Sequence, residues 1–250
     1  MGRETTRNRL EDFEVLSFDC YGTLIDWETG IWDALQPLYM ASGGLGPERS
    51  LALARFAEHE ARIEQEQPAL PYPSLLGQVH AAFAEQSGLQ SNPTLDRDFG
   101  RSVGHWPAFA DTAEALRLLQ RRYRLVILSN VDRESFALSN RKMGVTFEAV
   151  YTAADIGSYK PSPANFRYLL RQLQKDLGVG PDRVLHTAQS LYHDLAPARE
   201  FGLATAWIDR QRLSTGGAWG ATKSLTQQPE VDFLYFSMAE LAAAATAADG

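Results

Sequence analysis

A carboxylate that closes a short apolar run is the residue of this chain best placed for covalent chemistry. Asp19 follows the run Val15 to Phe18 and precedes Gly22, which permits a sharp turn. A short, continuous apolar run is typical of a buried parallel strand, and open α/β sheets bind ligands at the carboxyl ends of their strands. An ionised, poorly hydrated carboxylate in that position can act as a nucleophile. The alternative interpretation is an aspartate that only caps a turn.

Polar side chains follow three later apolar runs as well. Ser129 and Asn130 close one run, Lys160 follows another, and Asp194 follows a third. Because parallel strands bring their carboxyl ends to one edge of a sheet, we expect these residues to meet Asp19 there. Lys160 would then keep Asp19 ionised through its opposite charge. Each residue also has a structural interpretation: helix capping for Ser129 and Asn130, a surface lysine, and a carboxylate at a helix N-terminus.

The elements that position these residues alternate between short apolar runs and longer helical patterns. Parallel strands with helical crossovers on both faces of the sheet explain this alternation, so the sequence predicts a doubly wound α/β fold. The predicted strands are Val15 to Phe18, Leu125 to Leu128, Ala149 to Thr152, Val184 to Thr187, Ala204 to Ile208 and Phe233 to Phe236. The predicted helices are Asp111 to Arg121, Arg133 to Met143, Pro163 to Leu177, Leu195 to Phe201 and an Ala-rich segment after Met238.

One segment interrupts the alternation. Residues 27–103 lack a convincing strand and carry helical periodicity, for example at Leu51, Leu53, Phe56 and Ile63. No crossover needs so much chain, which predicts an all-helical cap domain of residues 27–103 inserted into a core of residues 1–26 and 104–250. Residues 212–230, rich in Gly, Ser, Thr and Gln, are predicted to form a long loop near the site or at the surface.

The composition limits the classes of partner. Of 250 residues, 44% are hydrophobic and 22% are charged, as in ordinary globular proteins. A net charge of −7 argues against nucleic acid as a partner. The single cysteine, Cys20, excludes an internal disulfide and a Cys-rich metal site. Without a signal peptide or a long apolar run, we expect a cytoplasmic protein that does not enter a membrane and acts on a small molecule.

Taken together, these motifs resemble those of the haloacid dehalogenase superfamily. The resemblance lies in Asp19-Cys20-Tyr21-Gly22-Thr23-Leu24, Ser129, Tyr159-Lys160-Pro161 and Asp194, and the insertion falls where that superfamily has its helical cap. It implies a Rossmann-like parallel-sheet core with an inserted all-helical cap. It also implies a covalent mechanism, with Asp19, Lys160 and Asp194 as the catalytic residues.

Two positions resemble the 2-haloacid dehalogenase branch, which works without a metal or another cofactor. Tyr21 stands where the superfamily's phosphatases carry a second Asp, and Gln189 stands where they carry an acid that holds magnesium. The resemblance implies that a small carboxylic acid, a haloacetate or a 2-halopropionate, is hydrolysed to the 2-hydroxy acid. The implied substrate-binding residues are Cys20, Tyr21, Arg55, Ser129, Asn130, Gln189 and His193, with Arg62 as a rival to Arg55 for the cap arginine. Trp27, Trp32, Tyr72 and Trp106 are candidates to line an apolar pocket.

One departure from the branch keeps alternatives open. Leu191 replaces an amide that helps to activate water, a task that Gln189 or His193 could take over. The alternatives are a magnesium-dependent phosphatase, an enzyme that opens a strained ring acid, another hydrolase of small carboxylic acids, and a scaffold protein without activity. The resemblance also implies a homodimer formed through the cap helices.

Overall fold

In a computed structural model, residues 8–218, 220–221, 225 and 228–247 are described. Parallel strands form a six-stranded sheet in the order β3-β2-β1-β4-β5-β6. The strands are β1 (Val15–Phe18), β2 (Arg124–Ser129), β3 (Ala149–Thr152), β4 (Val184–Ala188), β5 (Ala204–Ile208) and β6 (Phe233–Tyr235). Each predicted strand is present, with ends that differ from the prediction by at most one residue. The doubly wound α/β fold is therefore confirmed.

β1 lies between β2 and β4. From β1, the chain first adds β2 and β3 on one side of it and then crosses to add β4, β5 and β6 on the other side. This is the switch point at which open α/β sheets bind their ligands, because the connections leave opposite faces of the sheet there. Ser17 of β1 is the register partner of Val126 in β2 and of His186 in β4. The segments that follow β1 and β4 therefore begin side by side.

Helices cover both faces of the sheet. Alternate strand residues enter separate apolar layers, with Leu16 and Phe18 in one and Val15 in the other. The helices that follow residue 103 are α5 (Thr112–Leu119), α6 (Arg133–Met143), α7 (Ala153–Ile156), α8 (Pro163–Gln172), α9 (Ala196–Glu200) and α10 (Met238–Ala247). A π-helical turn, Leu173–Leu177, extends α8, and a second one, Leu191–Leu195, leads into α9.

The segment between β1 and α5 is helical along its length. It holds α1 (Trp27–Ala41), α2 (Arg49–Glu66), α3 (Tyr72–Ser87), α4 (Pro93–Gly100) and a 3-10 turn at Ser102–His105. Every residue of 27–103 is described, and no strand lies among them. The prediction of an independent cap domain with these limits stays a prediction.

The burial of α2 differs in part from the pattern that the sequence suggested. Leu53, Phe56 and Ile63 are buried as expected, whereas Leu51 is 43% exposed. Leu51 lies at the first turn, to one side of the stripe that packs inward. Among the helices of the described residues, none combines the length and the apolarity that a membrane span requires.

Candidate active site

Asp19 lies directly beyond β1 and is fixed by the turn that follows it. The Thr23 hydroxyl donates to Asp19 Oδ2 at 2.7 Å and accepts from the backbone N–H of Gln189 at 2.9 Å. Gly22 allows this turn with a φ of 97°, where a Cβ atom would lie 3.0 Å from Trp27 Nε1. Thr23 therefore joins the loop after β1 to the loop after β4, a role that the sequence analysis did not assign.

Lys160 is the centre of the site. Its ammonium group donates to Asp19 Oδ1 at 2.9 Å, to Asp194 Oδ1 at 2.6 Å and to the carbonyl oxygen of Leu128 at 3.0 Å. An ammonium group has three donors, so this set of contacts uses all of them. Asp19, Lys160 and Asp194 are only 6%, 2% and 1% exposed. The three residues predicted to be catalytic thus lie together in a buried cluster.

The cluster places two carboxylates beside one cation. Loss of hydration raises the pKa of Asp19, an effect that the Lys160 ammonium opposes and the Asp194 charge reinforces. Burial also acts to raise the pKa of Asp194, but Lys160 and a hydrogen bond from His186 outweigh it, so this pKa is lowered. The two carboxylates together raise the pKa of Lys160 against the effect of its burial. Lys160 therefore stays charged and supports the ionised form of Asp19, which burial alone would disfavour.

A second line of contacts holds Asp194 from the sheet side. His186 Nε2 lies 3.1 Å from Asp194 Oδ1, and His186 Nδ1 lies 2.9 Å from Ser17 Oγ. Since a carboxylate only accepts hydrogen bonds, we assign a proton to Nε2, which donates to Asp194. His186 and Ser17 are fully buried on adjacent strands. Sequence reasoning missed both, although a histidine inside an apolar strand was the available signal.

The two polar residues after β2 differ in their surroundings. Asn130 lines the cavity above the site and also binds the backbone of Lys160 twice, through its Oδ1 at 2.7 Å and its Nδ2 at 3.1 Å. Ser129 is 1% exposed, and its hydroxyl has no hydrogen-bond partner among the described residues. Asn130 therefore positions Lys160, while Ser129 lies below the cavity surface.

A cavity of about 580 Å³ opens above Asp19, Lys160 and Asp194. Its wall combines residues that follow β1, β2 and β4 with side chains of α2 and α3. The lining aromatic residues are Tyr21, Trp27, Tyr72 and Trp106. Of the aromatic candidates from the sequence, Trp32 is not among the lining residues and instead packs edge-to-face on Tyr39.

Tyr21 presents its ring to this cavity and its hydroxyl to α6. The hydroxyl lies 2.9 Å from Ser139 Oγ, and the ring packs edge-to-face against Trp106 at 5.6 Å. Burial raises the pKa of Tyr21 well above its ordinary value, so the phenol stays protonated. The residue at this position therefore contributes an apolar surface rather than a charge.

The loop after β4 brings Gln189, Ser190 and His193 to the cavity. Gln189 Nε2 donates to Gln211 Oε1 at 2.7 Å, and the Ser190 hydroxyl accepts from the His193 backbone N–H at 3.0 Å. Leu191 is 1% exposed and packs in an apolar cluster instead of lining the cavity. Gly220 and Ala221 of the predicted loop also line the cavity, while residues 219, 222–224 and 226–227 lie outside the described residues.

Besides Ser129, two further predicted substrate-binding residues lie outside the cavity lining. Cys20 is fully buried in the main apolar layer and is absent from the cavity lining, because the chain turns inward after Asp19. Arg55 points from α2 to α3, where its Nη1 donates to Ser87 Oγ at 2.9 Å. The arginine of α2 that lines the cavity is Arg62, which is half exposed and pairs with Glu66 at 3.1 Å. Of the two candidate arginines, Arg62 therefore faces the cavity and Arg55 does not, and the identity of the substrate-binding arginine stays a prediction.

The wall of the cavity formed by α2 carries two carboxyl groups that were not predicted as ligands from the sequence. Glu60 accepts from the Tyr72 hydroxyl at 2.9 Å, and Glu64 accepts from Asn130 Nδ2 at 3.4 Å. Loss of hydration raises the pKa of Glu60 to about 7. Burial, and the nearby Glu60 charge, raise the pKa of Glu64 well above its usual range. A one-turn spacing on α2 puts both groups on one face.

The arrangement of acids also bears on metal binding. In the part of the chain that the structure describes, no three His, Cys, Asp or Glu side chains are grouped as ligands for a metal ion. Asp19 and Asp194, the pair that the phosphatase alternative would use, are both bonded to the Lys160 ammonium. The expectation of a metal-independent reaction stays a prediction.

The chain is similar in sequence and in structure to known hydrolases. A (S)-2-haloacid dehalogenase 4A from Burkholderia cepacia is 33% identical over 107 residues, which span 42% of this chain and 44% of that relative, less than half its length. The L-2-haloacid dehalogenase from Xanthobacter autotrophicus superposes with a TM-score of 0.75 at 20% identity, over 92% of this chain and 97% of the other. The HAD-hydrolase YfnB from Bacillus subtilis, bound to magnesium, superposes with a TM-score of 0.72 at 17% identity, over 94% and 97%.

At these identities the two solved structures establish the fold. The family itself follows from a family model described as haloacid dehalogenase-like hydrolase, which matches residues 13–202, well over half of the chain. The matched region contains β1 to β4, the helical insertion and all the residues of the buried cluster. The chain therefore belongs to the haloacid dehalogenase-like family of hydrolases.

Proposed function

We propose that the protein hydrolyses the carbon–halogen bond of a small 2-haloacid or a close derivative, through an ester formed on Asp19 and without a metal ion. The observation that carries the proposal is the Lys160 ammonium between Asp19 and Asp194, at 2.9 and 2.6 Å. This buried cation holds the nucleophile ionised, and Tyr21 and Gln189 stand at the two positions where a phosphatase of the superfamily would carry further acids. The name of the B. cepacia relative supports the 2-haloacid as the substrate class.

In the first step, an Asp19 oxygen attacks the carbon that bears the halogen. The new carbon–oxygen bond forms as the carbon–halogen bond breaks, and the halide leaves with the bonding electron pair. The aspartate is suited to this attack because burial raises its pKa, which makes it a stronger base, while Lys160 keeps it ionised. Only 6% of Asp19 is exposed, which limits the hydration of its carboxylate.

In the second step, water attacks the carbonyl carbon of the Asp19 ester. The bond between that carbon and the substrate oxygen breaks, so the hydroxy product carries an oxygen that belonged to Asp19, and the water leaves one oxygen in the restored carboxylate and one proton in solution. Lys160 and the Thr23 hydroxyl already contact the two Asp19 oxygens at 2.9 and 2.7 Å. They are placed to stabilise the negative charge that develops there.

The proposal is tested by halide release from chloro- and bromo-derivatives of acetate, propionate and their amides, with EDTA present throughout. We expect release by the purified protein, and at least a thousandfold loss in Asp19→Asn, whose amide is a poor nucleophile. Folding of the variant is checked by circular dichroism. Failure to release halide from any of these compounds, or release that requires added magnesium, would contradict the proposal.

A further inference from the structure

The segment after β5 brings an arginine to the turn that follows the nucleophile. Arg210 Nη2 and Nε donate to the backbone carbonyl oxygen of Thr23, at 2.8 and 3.2 Å. The hydroxyl of the same Thr23 donates to Asp19 Oδ2 at 2.7 Å. Arg210 is not among the described residues that line the cavity. The route from Arg210 to Asp19 therefore runs through Thr23.

The guanidinium group of Arg210 is itself held in place. Its Nη1 donates to the two carboxylate oxygens of Asp111 at 2.9 and 3.1 Å, and the group lies over the ring of Phe109 at 3.9 Å. Asp111 precedes α5 and also accepts from the backbone N–H of Ala239, near the start of α10, at 3.2 Å. The side chain of Arg210 is only 12% exposed. Its planar fork is thus fixed against α5 and α10, unlike the mobile arginine of a surface ion pair.

The turn is held from outside at two successive carbonyl oxygens. Arg210 binds that of Thr23, while the Thr112 hydroxyl and the Phe109 backbone N–H donate to that of Leu24 at 2.8 and 3.1 Å. Because a peptide unit is planar, an immobilised carbonyl oxygen also fixes the backbone next to it. Thr23 is fully buried and β-branched, so its side chain has few rotamers. The direction of its hydroxyl therefore follows from the direction of its backbone.

The ionisation of Asp19 depends on that direction. Loss of hydration raises the pKa of Asp19, and hydrogen bonds from Lys160 and from the Thr23 hydroxyl oppose this rise. A hydrogen bond weakens steeply as it departs from a straight line, so a small rotation at Thr23 would weaken this opposition. The charged groups that act on Asp19 are Lys160 and Asp194, and the titratable groups elsewhere in the cavity lining are Tyr21, Glu58, Glu60, Arg62, Glu64, Tyr72 and His193.

We propose that Arg210 is a positioning residue for the nucleophile: through the Thr23 carbonyl oxygen it directs the Thr23 hydroxyl at Asp19, and Asp111 holds Arg210 in place. This role rests on the proposed displacement by Asp19. It makes both the ionisation and the orientation of the nucleophile depend on a residue outside the cavity. Loss of the planar fork should therefore affect turnover more than substrate binding.

The first test follows the Asp19 carboxyl itself and needs no turnover. Carbon-13 NMR of labelled aspartate carboxyl groups is recorded during a pH titration of the unliganded protein, and the Asp19 signal is the one that Asp19→Asn lacks. Arg210→Lys keeps the positive charge but not the planar fork, and we expect the midpoint to rise by about half a pH unit or more. Arg212→Lys, which alters an exposed side chain over the Phe236 ring, is the matched control and should leave the midpoint unchanged.

A second variant shows whether the effect passes through the hydroxyl. Thr23→Val removes the hydroxyl and keeps the branched shape, so we expect the Asp19 midpoint to rise in this variant as well. In the Thr23→Val background, Arg210→Lys should then add no further shift. An unchanged midpoint in Arg210→Lys, or a shift that persists in full without the Thr23 hydroxyl, overturns the positioning role. All variants leave Lys160, Asp194 and the other titratable groups of the cavity in place.

Kinetics with 2-bromopropionate connect the titration to the reaction. In Arg210→Lys we expect kcat to fall about tenfold or more, with a smaller change in KM, because the hydrogen bond to a charged group is weakened. The acid limb of the kcat/KM profile should move upward together with the NMR midpoint. A fall in kcat with an unmoved acid limb would mean general loosening of the fold and would overturn the role of Arg210. An absence of halide release from the wild type contradicts the proposed reaction, while the NMR titration still decides what Arg210 does.

Discussion

The chemistry at the level of single residues depends on how one ammonium group is shared. Lys160 donates to Asp194 at a shorter distance than to Asp19, and His186 adds a further hydrogen bond to Asp194. Asp194 is therefore the carboxylate with the lowered pKa, and Asp19 keeps a raised one. Both carboxylates line the cavity, and this division makes Asp19 the more basic of the two, which suits a nucleophile supported by a fixed counter-charge.

Lys160→Met tests whether the shared ammonium stabilises the two carboxylates, because it removes the cation and keeps most of the side-chain volume. Removal of one partner leaves buried carboxylates unpaired, and we expect the free energy of unfolding at pH 7 to fall by about 3 to 5 kcal/mol, with halide release lost. Lys160 lowers the folded-state pKa of Asp194 below its ordinary 3.8. The stability that this adds is present above that pH and lost below it, so the deficit of the variant should shrink toward pH 3.

The free energies of unfolding of Lys160→Met and the wild type are measured with urea from pH 7 down to pH 3. Lys175→Met, which changes an exposed lysine, is the control and should differ little from the wild type at any pH. A Lys160→Met protein as stable as the wild type at neutral pH would contradict the shared-cation account.

His186 is expected to act as a positioning residue that works through Asp194. In His186→Leu, Asp194 loses a donor and the buried Ser17 hydroxyl loses its partner. We expect about 1 to 3 kcal/mol of destabilisation and a tenfold or greater fall in kcat with a smaller change in KM. Ser17→Ala removes only the contact between Ser17 and His186. It should therefore reduce both the free energy of unfolding and kcat by less than His186→Leu does. A kcat unchanged in His186→Leu would show that Asp194 needs no support from the sheet side.

At the scale of helices and strands, the sheet and the helices around it could be predicted, and the orientation of the inserted helices α1 to α4 could not. The inner strands are short, apolar and buried on both faces, so their own residues define their ends, as in β1 and β5. The polar residues after them converge because parallel strands share one edge. By contrast, the face that α2 presents to the cavity depends on how it packs against α3, which local periodicity does not report. Arg55, predicted to face the substrate, contacts Ser87 of α3 for this reason.

The partly buried Glu60 carboxyl of α2 gives the protein a pH-dependent stability. The folded-state pKa of Glu60 is raised from 4.5 to about 7, chiefly by loss of hydration, with Tyr72 opposing and Glu64 nearby. Between these two pH values the folded state binds more protons than the unfolded state, so stability falls as pH rises. Glu60→Gln lacks this dependence and should be more stable than the wild type by about 1 to 3 kcal/mol at pH 8, and by little at pH 4.5.

The free energies of unfolding of the variant and the wild type are measured with urea at the two pH values. Glu85→Gln, which changes an exposed carboxyl of α3, is the control and should match the wild type at both. A Glu60→Gln variant that is less stable than the wild type at pH 8 would indicate that Glu60 has a compensating partner in the folded protein.

At the scale of the whole molecule, the candidate active site is a cavity between the switch point of the sheet and the helical insertion. The segments after the strands supply the proposed reacting groups, and α2 and α3 supply the opposite wall. The motifs around Asp19, Lys160 and Asp194 were sufficient to predict the core side, because their positions follow from the topology. Glu60 and Tyr72 were not predicted as a pair, because their contact joins two helices whose packing the sequence does not specify.

The most direct test of covalent catalysis by Asp19 is a single turnover in heavy-oxygen water with enzyme in excess over substrate. In the mechanism proposed here, the first product takes its oxygen from Asp19, and water replaces that oxygen in the carboxylate. Mass spectrometry should therefore find the heavy isotope in the peptide that contains Asp19 and ordinary oxygen in the first product. Heavy oxygen in the first product, with an unlabelled Asp19 peptide, would mean that water attacks the substrate directly and would contradict the mechanism.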